Sequence, residues 1–146
     1  MKLTLTLGLF FSCLHLFSDA AEIRRYCFGE WCERIGYSEA VAVGDTLYLS
    51  GIVGEGDDME ACLKMAFDHI DQLLARFNLG RDCVLKEKIY TNSKDALRAA
   101  TQVRRDFYGD ALPAAVWIEA EPHRTGAWIE MELVLHLPEG HLLPEP

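Results

Sequence analysis

The 146-residue sequence predicts a single α+β domain, with two helices packed on one face of a β-sheet. Three observations predict this. Two segments carry apolar residues at three- and four-residue steps, the period of a helical stripe that faces a core. Several shorter segments are strand-like, rich in apolar residues and bounded by Gly, Asp or Pro. Their order is strand, strand, helix, strand, helix, strand, strand, and two helices can cover only one face of such a sheet. Half of the residues are apolar and a quarter charged, an ordinary globular composition at a length that supports one domain with a core.

The first 21 residues differ from the rest. Met1-Lys2 supplies one positive charge, Leu3 to Phe17 is almost wholly apolar, and Ser18-Asp19-Ala20-Ala21 follows. This is the layout of a secretory signal, with cleavage after Ala20. The competing reading is a mis-assigned start site, with this stretch as translated leader, and Cys13 and His15 inside the apolar run count against the export signal. The first reading puts the mature chain in the periplasm or outside the cell, and the second leaves it in the cytoplasm. The run is short for a membrane span, so no membrane partner is expected once it is removed. A net charge of −9 disfavours nucleic acid as a partner.

Residues 22–137 form the expected domain. A short strand near Arg25 to Phe28 is a candidate. In "CFGEWC", Cys27 and Cys32 can bridge if the chain bends at Gly29, and an oxidising compartment would favour that bridge. Their spacing suits no zinc site, and no metal is expected. Ala40 to Val43 and Thr46 to Ser50 read as strands joined at Gly44-Asp45, a tight hairpin signal. Gly51 to Gly56 reads as a loop. Asp57-Asp58 precedes a helix whose stripe is Met59, Cys62, Leu63, Ala66, Ile70, Leu73, Leu74 and Phe77, with Gly80 as its C-terminal cap. Cys83 to Tyr90 is a strand, and both Cys62 and Cys83 read as buried thiols. Ser93 caps a second helix with Leu97, Ala100, Val103 and Phe107 as its stripe, and Gly109 stops it. Residues 138–146 contain three prolines and read as a loose tail.

The segment "AVWIEAEPHRTGAWIEME", Ala115 to Glu132, carries two strands around a loop. Trp117, Glu119 and Glu121 alternate along the first, and Trp128, Glu130 and Glu132 along the second. Val116, Ile118, Ile129 and Met131 fall between them. Period-2 alternation predicts one aliphatic core face and an opposite face that mixes tryptophan with carboxylate.

Several stretches together resemble the Rid proteins, also called the YjgF or L-PSP endoribonuclease-like family. "YSEAVAVGDTLYLSG" is similar to the family's N-terminal hairpin and "CVLKEKIYT" to its middle strand. "ALPAAVWIEAE" and "WIEMELVLHLP" are similar to its C-terminal signature. The resemblance covers roughly Arg25 to Leu137. It implies a chorismate-mutase-like fold with a mixed β-sheet, and a homotrimer whose bare sheet faces meet, with small-molecule clefts between subunits. The Trp117/Glu130 face would then look into the trimer centre.

The resemblance also implies hydrolysis of reactive enamines and imines, without a cofactor. In such members an arginine after the Pro-Ala pair holds the substrate carboxylate with a two-pronged contact. Here Pro113-Ala114 is followed by Ala115. The family glutamate is kept as Glu130, which either positions an attacking water or pairs with backbone or a basic residue across the interface. Tyr37, Ser50 and Gly51 match cleft positions. Arg124 in the "EPHRTG" loop is either a replacement carboxylate anchor or a solvated charge. Trp117 and Trp128, with the glutamates, either form a pocket for a neutral or amine-bearing ligand or fill the trimer core. The expected function is therefore a trimeric small-molecule binder whose deaminase activity is divergent or absent. The alternatives are an imine deaminase with another anchor, a ribonuclease or translation inhibitor, and a purely structural trimer.

Overall fold

The computed structural model describes residues 21–121 and 127–146. The expected signal, apart from Ala21, and the loop residues His123 and Arg124 lie outside the described residues. The described chain forms a six-stranded sheet and four α-helices in the order β1 (Ile23–Tyr26), α1 (Trp31–Ile35), β2 (Ala40–Val43), β3 (Thr46–Glu55), α2 (Met59–Arg76), β4 (Val84–Thr91), α3 (Lys94–Ala99), α4 (Thr101–Tyr108), β5 (Ala114–Glu119) and β6 (Ala127–His136). The sheet order is β1-β2-β3-β6-β4-β5. Only β4 and β5 pair in parallel, so the sheet is mixed, as expected. The last two strands are not neighbours, because β4 lies between them.

The helix α2 forms for the predicted reasons. The Asp58 carboxylate accepts a hydrogen bond from the Ala61 N–H at 2.9 Å, satisfying one of the orphan donors of the first turn. Cys62, Leu63, Ala66 and Ile70 are fully buried, and Met59, Phe67, Leu73 and Leu74 nearly so. They lie against Leu47, Ile52, Ile89, Ile129, Met131, Leu133 and Leu135 on one sheet face. Burying each large aliphatic side chain contributes about 1.5–3 kcal/mol, which holds the helix on the sheet.

The end of α2 departs from expectation. The helix closes at Arg76, Phe77 is its cap, and Asn78 takes the left-handed turn at φ 53°, while Gly80 has φ −93°. Asparagine tolerates that region better than most residues, so Asn78 and not Gly80 reverses the chain. Cys83 ends a short 3-10 turn ahead of β4 and is only partly buried. The second helix is broken at Ala100 into α3 and α4. There the Thr101 hydroxyl donates to the Arg98 carbonyl at 2.7 Å, offering the backbone an alternative partner.

The stretch Gly51 to Gly56 is not the expected loop, since β3 continues through it to Glu55. The β2–β3 hairpin itself turns at Gly44-Asp45 as expected, with Gly44 at φ 58°. The tail has no regular structure but is tied down. The Tyr26 hydroxyl donates to the Pro144 carbonyl at 3.2 Å, the His141 ring lies 2.7 Å from the Phe77 carbonyl, and Leu143 packs on the core. No helix among the described residues is long and apolar enough to cross a membrane.

Candidate functional site

The helices α2, α3 and α4 pack on one sheet face, and no described helix of that layer covers the other. On it a groove of 590 Å³ opens between the β2–β3 side and β6. Tyr37, Ser50, Gly51 and Glu130 all line it, together with Ile35, Tyr48, Glu132 and Val134. Four of the residues singled out in the sequence are therefore brought together.

A β-bulge shapes the floor. Between Leu49↔Leu133 and Ile52↔Met131, β3 advances one residue more than β6, so Ser50-Gly51 form the bulge. Ser50 is held by its surroundings: its N–H donates to the Glu39 carbonyl at 3.0 Å and its hydroxyl to the Ser38 carbonyl at 2.6 Å. Gly51 lies directly under Glu130. A Cβ at Gly51 would overlap Glu130 Oε1 and stand 3.0 Å from its Cδ. The absence of a side chain at residue 51 is what lets the carboxylate settle over the strand.

Two tyrosines flank this carboxylate. Tyr37 is 45 % exposed and meets Trp31 edge-on at 5.4 Å, and Tyr48 is 47 % exposed beside Val134. Tyr48 was legible as a groove residue, since Leu47 and Leu49 on either side of it are core. Glu132 is already engaged. It accepts from Lys88 Nζ at 2.7 Å and from the Tyr90 hydroxyl at 3.1 Å. Those contacts, the hydrogen bond to Glu132 first, hold the Lys88 ammonium above the ordinary lysine value. Among the described residues, no lysine or arginine lines the groove. A second depression of 470 Å³ lies where the tail crosses β1 and β2, but its Arg24 is taken up by Glu22 at 3.0 Å.

The remaining predicted residues lie elsewhere. Glu130 pairs with Tyr90, and Tyr90 with Ile118, so β5 is two strands away from the groove. Ala115 is a further three residues back along β5. At ~4.8 Å per strand and ~3.3 Å per residue, Ala115 is about 14 Å from Glu130 within one chain. Trp117 does not share the open face with Glu130. It pairs with Ile89, which is buried under the helices, and it packs against the core. Val116 and Ile118 are the residues of β5 that face outward with Lys88 and Tyr90. Trp128 is also turned to the helix side. Gly54 pairs with Ile129 and Glu55 with Ala127, which leaves Trp128 on a bulge beside Met59, Ala96 and Ala100. The expected tryptophan-carboxylate face is thus corrected: Glu130 and Glu132 face outward, and both indoles lie on the helix side.

A buried cluster positions β5. Arg104 on α4 donates through Nε to Glu87 on β4, which is wholly buried, and through Nη2 to the Pro113 carbonyl at 3.4 Å. Tyr108 borders the same carboxylate. Burial, then the Glu87 charge, push its hydroxyl well above the usual tyrosine value. Neither Glu87 nor Arg104 was legible as a pair, because they are joined only by packing α4 on the sheet.

Chemically the groove offers a carboxylate seated over a glycine, a second carboxylate paired with Lys88, and aromatic walls. No group of three or more metal-ligating side chains is present among the described residues. Comparison with known proteins agrees with the architecture. A curated, uncharacterized Streptomyces coelicolor protein is 27 % identical over 100 residues, 62 % of this chain and 74 % of that protein. A YjgF-family protein from Mycobacterium tuberculosis superposes with a TM-score of 0.72 at 24 % identity, covering 80 % of this chain and all of that one. One from Neisseria meningitidis gives 0.73 at 22 % identity, covering 84 % of this chain and all of that one. One from Streptococcus pyogenes gives 0.70 at 25 % identity, with 78 % and 95 % covered. The family model described as endoribonuclease L-PSP matches residues 33–137, well over half of the sequence, and the chain therefore belongs to the endoribonuclease L-PSP, or YjgF-like, family.

Proposed function

We propose that three copies of the chain associate through the uncovered sheet face and bind a small molecule in crevices built on the Tyr37-Gly51-Glu130 groove. In this reading, hydrolysis of acidic imines is weak or absent. The observation that carries it is the convergence of Tyr37, Ser50, Gly51 and Glu130 on one open groove, with Glu130 seated on Gly51. The face around the groove supports the association. Tyr48, Val53, Val116, Ile118 and Val134 lie on it, and a solvated sheet face gains nothing from such residues.

In a carboxylate-binding relative the residue at the Ala115 position would be an arginine. Losing a buried two-pronged charged contact costs about 2–5 kcal/mol, or roughly thirty- to several-thousand-fold in rate. The test couples an amino-acid oxidase to the purified protein and follows keto-acid release. Little acceleration by the natural chain, and a gain in A115R, is the expected result. Strong acceleration by the natural chain would favour an imine deaminase with a different anchor, such as Arg124. Sedimentation equilibrium tests the trimer. The ribonuclease activity carried by the family's name is disfavoured by the net charge of −9, and a nuclease assay on protein free of host enzymes tests that. Export under the direction of residues 1–20 would remove the chain from pyridoxal-phosphate intermediates in the cytosol. N-terminal sequencing of the native protein decides it.

A further inference from the structure

We propose that the Cys27–Cys32 disulfide is a thiol–disulfide exchange site, and that its reduction releases one wall of the groove. The two cysteines are bridged with their Cα atoms 5.9 Å apart. They close the turn between β1 and α1, ahead of residues 33–137 that the family model matches.

What it clasps is weak by itself. The helix α1 has five residues, Trp31–Ile35, and its N-cap Glu30 makes no side-chain capping bond. A helix this short is not stable alone in water. Its only buried side chain is Cys32, while Ile35 is 53 % exposed. The attachment of α1 to the body therefore runs through Cys32. Ile35 and Tyr37, at and just after its end, both line the groove. Tyr37 leans on Trp31 of the same helix. Opening the bridge removes the covalent tie of the helix to β1, leaves one small buried thiol to hold it, and so loosens the support of the Tyr37 ring.

The chemistry needs a dithiol reductant. Cys27 is exposed and Cys32 is buried, so an incoming thiolate reaches Cys27 Sγ. The S–S bond breaks, Cys32 leaves as a thiolate and takes up a proton, and a mixed disulfide remains on Cys27. The second thiolate of the reductant attacks its own sulfur in that mixed disulfide and expels Cys27, which is protonated in turn. The protein gains two electrons and two protons as two thiols, and the dithiol becomes a disulfide. The other described cysteines lie outside the clasp, Cys62 under α2 and Cys83 ahead of β4.

The experiment treats the folded, full-length chain with dithiothreitol in the absence of denaturant. It counts thiols and follows hydrogen exchange by mass spectrometry. Two additional thiols per chain are expected. Exchange across residues 29–38, which hold the Gly36 amide bonded to the Cys32 carbonyl at 2.7 Å, is expected to rise at least tenfold. Protection in α2 is expected to stay unchanged. C27S should show the exchange pattern of the reduced chain without reductant, and intact α2 protection shows that the variant is folded. Thiols that appear only on global unfolding would overturn the proposal. So would thiols that appear with residues 29–38 as protected as before. None of these readouts depends on which ligand the groove takes.

Discussion

Gly51→Ala and Gly54→Ala stand three residues apart on β3, yet they should have unequal consequences. At Gly51 an added Cβ overlaps Glu130 Oε1 and lies 3.0 Å from Cδ and 3.2 Å from Cγ. Those atoms are the far end of one flexible side chain. Swinging Glu130 away from its rotamer costs about 0.5–1.5 kcal/mol. Alanine stiffens the unfolded chain and returns roughly 0.4–1 kcal/mol. G51A should therefore cost less stability than a backbone clash would, while moving the carboxylate off its seat. At Gly54 the added Cβ overlaps the Cys62 backbone carbonyl and lies 2.7 Å from Ile129 Cγ1. The backbone of α2 would have to lift from the sheet, and overpacking of this kind costs about 1–3 kcal/mol or more. Urea unfolding of the two variants, followed by circular dichroism, reads the difference as a lower midpoint for G54A at unchanged slope. A crystal structure of G51A should show Glu130 displaced. Equal destabilisation by the two substitutions, or G51A with Glu130 in place, would refute the argument that residue 51 is glycine to seat the carboxylate.

Three further outcomes follow from the scaffold. R104M leaves Glu87 buried without its cation and should cost about 3–5 kcal/mol, whereas R104M/E87L should recover most of that loss in the same urea assay. Tyr108 has its pKa raised in the fold, so the unfolded chain loses this proton first as pH rises. Stability from Tyr108 is complete below pH ~10 and should fall by about 1.4 kcal/mol per pH unit above it, a slope that Y108F removes in thermal melts through that range. D58A deletes the α2 cap and should lower stability by about 1 kcal/mol, with a midpoint shift as the readout.

Much of the fold was legible because it rests on local chemistry. The α2 stripe, its Asp58 cap, the Gly44-Asp45 turn and the Ser93 cap each depend on residues a few positions apart. Departures arise where a local signal had competitors. Gly80 is the obvious C-cap residue, yet Asn78 reaches the left-handed region two residues sooner and ends the helix. The Gly-rich stretch after Ser50 looks like a loop, but pairing with β6 carries β3 through it to Glu55. The groove was partly legible too. Tyr37, Ser50, Gly51 and Glu130 were identified by resemblance, and the bulge that brings Gly51 beneath Glu130 is what unites them. Tyr48 was missed, although its two leucine neighbours mark its face.

The amino-acid sequence alone determined the fold class, the family and the amphipathic elements, because periodicity and capping are properties of contiguous residues. It could not determine which way β5 faces. Alternation has two phases, and "AVWIE" is plausible in either. The pairing of Trp117 with Ile89 chose the phase that sends the indole to the helices and Val116 outward. A one-residue bulge did the same for Trp128. Register and bulges are set by partners distant in the chain, and only the assembled sheet supplies those partners.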